Sequence, residues 1–133
     1  LMSAIENPGL YNCVVSIAGV VDPEMLIEDK RIFLNKKAVR EFVGGGDEVF
    51  EQGSPLYRAG EITVPVLLFH GDEDINVSVR HSKTLYKRLK KLKKPVDLAV
   101  YDDAEHSLWS NRARIDMLTR LGDFLDRNTR AMN

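Results

Sequence analysis

The 133 residues amount to one domain's worth of chain, 44% hydrophobic and 29% charged, the proportions of an ordinary globular protein with a sizeable core. Nineteen basic side chains stand against twenty acidic ones for a net charge of −1, so no long-range field favours nucleic acid or an anionic membrane surface. No apolar run approaches the roughly 20 residues of a bilayer span, and a lone cysteine, Cys13, excludes an internal disulfide and leaves the compartment open.

Leu1, Met2 and Ile5 have helical spacing and run into the helix stop Asn7-Pro8-Gly9. No N-cap precedes them, so the sequence reads as entering a helix part-way, as a piece of a larger domain would. Cys13 lies just before a short aliphatic run from Val14 to Ala18, which predicts a strand buried on both faces with the thiol buried beside it. Between Asp22 and Gly60 comes a longer excursion. A short helix is expected there around Asn35 to Val43, stopped by Gly44-Gly45-Gly46. Val66 to Phe69 and Val96 to Tyr101 are the second and third expected strands, the last weakened by Asp97.

Between those two strands Leu85, Tyr86, Leu89 and Leu92 form an apolar stripe at helical period, and lysines and arginines fill the opposite face. His81 on that helix is expected to be exposed or half buried. After the third strand, Ile115, Leu118, Leu121, Phe124 and Leu125 predict a final amphipathic helix. Strands alternating with helices at these spacings imply an α/β fold with a mainly parallel sheet between helical layers. No internal repeat or linker divides it.

In such sheets the loops after the strands' carboxyl ends converge on one edge. The loop after Phe69 begins His70, Gly71, Asp72, Glu73, Asp74, and the loop after Tyr101 reads D-D-A-E-H-S-L-W. Asp74 and His106 can therefore meet. A carboxylate that fixes a histidine's tautomer and stabilises its imidazolium is the supporting half of a Ser-His-Asp triad. Asp before His also agrees with the chain order of α/β-hydrolases. On spacing alone, Asp74 could equally be a loop carboxylate accepting backbone N–H groups at a helix entry.

The stretch from Ser54 to Lys91 and the V-D-L-A-V-Y-D-D-A-E-H-S-L that follows resemble the C-terminal part of the catalytic domain of the prolyl oligopeptidase family. The nearest likeness is to its dipeptidyl and acylaminoacyl peptidase branches. The upstream N-P-G-L-Y-N-C-V-V-S-I-A-G-V-V-D is similar to the helix end and strand that follow the nucleophile there. The most specific features are H-G-x-x-D-x-x-V, met by His70, Gly71, Asp74 and Val77, and the later acidic loop with its histidine. The resemblance implies a partial α/β-hydrolase fold, three-layer αβα, with residues 1–133 as the C-terminal portion of the domain. It also implies Asp74 as triad acid, His106 as triad base and short peptides as substrates, cleaved without metal or organic cofactor. Ser107 departs mildly, since many members have Gly there.

No G-x-S-x-G occurs in the 133 residues. In the family the nucleophile sits on a sharp turn that opens a helix, and Ser3 lies within the helix that should follow that turn, so the resemblance implies a nucleophile and oxyanion donors outside this stretch, with no propeller domain in it. These residues alone are expected to be inactive. The same Asp and His would equally serve a carboxylesterase. A further alternative is a non-catalytic, self-associating fragment, whose strand from Val14 to Ala18 would offer an open edge to the missing part of the domain or to a second copy.

Other features carry plainer readings. His70 is expected to bond structurally near the strand end, and Asp72 and Glu73 to be solvated. A metal site from His70, Asp72, Asp74 and His106 lacks any recognised ligand spacing. The run K-R-L-K-K-L-K-K-P reads as a solvated helix face, not a nucleic-acid patch. Gly44-Gly45-Gly46 has no following Lys-Ser or Lys-Thr and so is no phosphate cradle. Trp109 could line a substrate pocket, but the favoured expectation is that it caps the core under the last helix.

Overall fold

The computed structural model describes residues 1–29, 35–42, 46–107 and 110–129. Three parallel strands, β1 (Val14–Ile17), β2 (Val66–Gly71) and β3 (Val96–Tyr101), form a sheet in the order β1-β2-β3. All six β2 residues are buried, as a central strand with both faces covered requires. β1 and β3 are only partly buried. Pairing sets Phe69 opposite both Ile17 and Ala99, and Gly71 opposite Tyr101, so the strands' carboxyl ends finish along one rim.

Because alternate β2 side chains point to opposite faces, Val66 and Leu68 belong to one core and Leu67 and Phe69 to another. The first core takes Ile5 from α1 (Met2–Glu6) and Leu85 and Leu89 from α5 (Arg80–Lys91). Leu85 and Leu89 are wholly buried, each worth about 1.5–3 kcal/mol of transfer free energy. The second takes Phe124, Met117 and Leu121 from α6 (Asn111–Thr129). Helices thus cover both faces, giving three layers.

The excursion between β1 and β2 holds α2 (Pro23–Glu28), α3 (Lys36–Phe42), α4 (Asp47–Gln52) and a 3-10 turn over Tyr57–Glu61. Only α3 was expected. The signal for α2 is local: Asp22 precedes Pro23, and its Oδ1 accepts from the N–H groups of Glu24 (2.9 Å) and Met25 (3.3 Å). Arg40 ties the three helices, donating to Glu24 (2.7 Å) and Asp47 (2.6 Å) with its guanidinium 4.9 Å from the Phe50 ring centre. Val43, Gly44 and Gly45 lie outside the described residues, and Gly46 stands at the N-cap of α4.

Three expectations are corrected. Cys13 is partly buried at the second core, not fully buried; what burial it has pushes its thiol pKa up. In α6 the expected Leu121 and Phe124 do meet the sheet, together with Met117, while the expected Ile115, Leu118 and Leu125 face outward at 67%, 60% and 38% exposure. That helix carries two apolar stripes, and periodicity alone does not choose between them.

His81 is buried, not exposed. It extends the Leu85–Leu89 face back by one turn, and its Nδ1 accepts the Val21 N–H at 3.2 Å. The Val21 carbonyl in turn accepts from Ser54 Oγ (3.0 Å) and the Leu56 N–H (2.9 Å), so the loop after β1 is clamped to α5 and the excursion. This clamp holds Ala18, whose left-handed φ of 48° costs an alanine about 1–2 kcal/mol.

Burial, aided by His70 and Arg80 and opposed by Asp22 and Asp29, holds the His81 pKa below its ordinary 6.5. The unfolded chain therefore takes up a proton that the folded one resists. This contribution to stability is present above pH 6.5 and lost as pH falls from there towards the lowered folded value. In His81→Leu, urea unfolding across that range is expected to show a flatter acid limb. It should also show a loss of about 1–3 kcal/mol at neutral pH from the orphaned Val21 N–H.

Candidate active site

The site lies on the rim where β2 and β3 end. The ladder between them continues past the strands: the Asp72 N–H donates to the Tyr101 carbonyl at 3.0 Å and the Glu73 N–H to the Ala104 carbonyl at 3.1 Å. The two loops are thereby sewn together. Gly71 is required at the seam, since a Cβ there would stand 2.1 Å from the Ala104 carbonyl oxygen and 2.9 Å from that of Glu105. On the far side Asp103 takes φ 54°, a left-handed conformation that Asp tolerates, and turns the chain towards His106.

The three acids after Gly71 have different surroundings. Asp72 and Glu73 are exposed, while the Asp74 side chain is wholly buried. Its Oδ1 accepts from the N–H groups of Asn76 and Val77, both at 2.8 Å. Its Oδ2 lies 2.7 Å from His106 Nδ1. A carboxylate only accepts, so Nδ1 carries the proton, and in the neutral ring Nε2 keeps its lone pair. The His106 side chain is 40% exposed, reaching from a buried acid towards solvent. The backbone-accepting role weighed for Asp74 is thus also present, on the other oxygen.

His70 is wholly buried at the end of β2 and bonds structurally there. Its Nε2 lies 2.8 Å from the Val77 carbonyl and 3.3 Å from Asp74 Oδ2, and its Nδ1 lies 2.7 Å from Ser82 Oγ. Its contact with Asp74, and Ser82 behind it, were not anticipated; the i, i+4 spacing of His70 and Asp74 was the available sign. At the base of the His106 loop, Tyr101 donates to Asp116 on α6 at 2.9 Å, and burial followed by that carboxylate pushes its phenol up to about 12. Trp109 lies outside the described residues. Among the described residues no group of three or more His, Cys, Asp or Glu side chains is arranged to hold a metal ion.

A family model described as the prolyl oligopeptidase family matches residues 1–131. The chain belongs to this family. Over 110 residues it is 33% identical to the uncharacterized peptidase YtmA of Bacillus subtilis, covering 80% of this chain and 42% of that protein. The chain thus spans less than half the length of that curated relative. Among solved structures, the acylaminoacyl peptidase of Pyrococcus horikoshii superposes with a TM-score of 0.80 at 21% identity, over 98% of this chain and 22% of the other. A puromycin-hydrolyzing peptidase of Mycobacterium tuberculosis gives 0.83 at 20% identity, over 96% and 20%. These likenesses fix the fold as part of the α/β-hydrolase architecture expected from the sequence. Within this prolyl oligopeptidase family member, the paired Asp74 and His106 lie in the loops that follow neighbouring parallel strands.

Proposed function

We propose that the intact protein is a serine peptidase acting on short peptides, with Asp74 as triad acid and His106 as triad base. The observation that carries this reading is the 2.7 Å contact between His106 Nδ1 and Asp74 Oδ2 on a side chain that is 40% exposed, which in the neutral ring makes Nε2 the nitrogen that can take a proton. Such a ring accepts a proton from a serine hydroxyl as the oxygen attacks the peptide carbonyl. It then returns that proton to the departing amine as the C–N bond breaks, and Asp74 stabilises the imidazolium in between. Water repeats the cycle on the acyl-enzyme.

The serine is assigned to a part of the protein outside residues 1–133, because no nucleophile elbow occurs within them. Topology supports the same division. Among the described residues β1 pairs only with β2, so its other edge is open to a strand from the rest of the domain or from a second copy. A fluorophosphonate probe tests the reading. The intact protein should label at a serine outside this stretch, and residues 1–133 alone should not label. Absence of labelling in active intact protein would refute a serine mechanism.

A further inference from the structure

Behind the acid stands a second histidine that no step of the proposed reaction uses. His70 and Ser82 are both buried to within 1% exposure, one at the end of β2 and the other in the first turn of α5. The two acceptors near His70 Nε2, the Val77 carbonyl at 2.8 Å and Asp74 Oδ2 at 3.3 Å, require the proton on that nitrogen. Nδ1 is then the acceptor, and the Ser82 hydroxyl donates to it at 2.7 Å. Ser82, His70, Asp74 and His106 thus stand in a row, hydrogen-bonded at its two ends and joined in the middle by the 3.3 Å contact between His70 Nε2 and Asp74 Oδ2 and by the Val77 backbone that both residues bind.

The contacts close a ring around the acid. Val77 gives its N–H to Asp74 Oδ1 and its carbonyl to His70, so the turn bearing the carboxylate is gripped at both ends of one residue. The His70 N–H also approaches Oδ2, the oxygen that holds His106, and not Oδ1, which is already taken by backbone. We propose that His70, fixed by Ser82, is a positioning residue that aims Asp74 Oδ2 at His106. A rigid strand and a rigid helix thereby set the geometry of an acid that itself sits on a loop. With His70 gone, the Asn76 and Val77 N–H groups still hold Oδ1, but the Val77 carbonyl loses its anchor and Oδ2 loses its neighbour on the β2 side, so the Oδ2 direction is less tightly defined.

The catalytic meaning of this inference rests on the proposed triad, but its structural content is read without catalysis. In the intact protein, the downfield Nδ1–H proton of His106 in the NMR spectrum reports acceptance by Asp74. His70→Leu and Ser82→Ala should broaden or remove that resonance and lower kcat about 10- to 100-fold with KM little changed, the scale of a small misplacement of a reacting group. His70→Gln can place an amide N–H near the Nε2 position and should recover much of both. If His70→Leu fails to fold, Ser82→Ala, which asks only for an alanine in a helix, decides. An unaltered resonance in either folded variant overturns the inference, whatever happens to the rate, because no effect would then pass through the His106–Asp74 bond. Should the wild-type protein show no turnover, the proposed peptidase function fails, and the resonance alone still decides the role of His70.

Discussion

Replacing Asp74 by Asn in the intact protein is expected to lower kcat about 10⁴-fold with little change in KM, the loss typical of a triad whose histidine is held in the wrong tautomer. The substitution keeps an oxygen to accept from the Asn76 and Val77 N–H groups, now at 2.8 Å from Oδ1. In place of Oδ2 it puts an amide N–H2 that faces His106 Nδ1 at 2.7 Å and His70 Nε2 at 3.3 Å. Against a donor, the His106 ring is satisfied only by presenting an unprotonated Nδ1. Its proton then moves to Nε2, where a base is needed. The His70 N–H keeps its bond to the Val77 carbonyl but faces the same amide at 3.3 Å, a donor-to-donor contact expected to lower stability. Steady-state kinetics beside urea unfolding separate the two effects. A variant of near-normal kcat would remove Asp74 from the reaction.

Gly71→Ala is expected to lower both stability and rate although Gly71 has no chemistry of its own. The added Cβ would fall 2.1 Å from the Ala104 carbonyl oxygen and 2.7 Å from its carbon. Both are backbone atoms, with no side chain to swing aside. The β3 loop must lift, the bond from the Glu73 N–H to the Ala104 carbonyl stretches beyond its 3.1 Å, and His106, two residues on, moves with it. Overpacking of this kind costs about 1–3 kcal/mol, and a shift of about 1 Å at the base can cost about 10²-fold in rate. Thermal unfolding and kcat should therefore both fall. Full activity in Gly71→Ala would mean that the loop tolerates displacement and that the seam does not position His106.

The sheet was legible from its aliphatic runs, although only β2 is buried throughout as expected, while β1 and β3 are partly buried and Ile17 is exposed. Aliphatic runs such as Val66 to Phe69 have no other stable place, and the structure only extends β2 by His70 and Gly71. The meeting of Asp74 and His106 was reachable for a related reason: parallel neighbours deliver their next loops to one rim. What sequence did not yield depends on contacts between distant segments. His81 reads as polar, yet its burial follows from an N–H sixty residues earlier that needs an acceptor. The α6 stripe was right at Leu121 and Phe124 and wrong at Ile115, Leu118 and Leu125, because Met117 competes with Ile115 and Leu118 for the sheet and only the sheet's position decides. The helices α2 and α4 have six residues each, too short for a periodic signal. The role of Gly71 depends on where the other loop passes.

The pairing of Asp74 with His106 as the acid and base of a serine mechanism is tested most directly by a crystal structure of the fluorophosphonate-labelled intact protein. The labelled serine should stand against His106 Nε2, its Oγ within about 2.6–3.2 Å once the adduct is removed, while Nδ1 stays bonded to Asp74. A labelled serine out of reach of His106, with some other base beside it, would contradict the account.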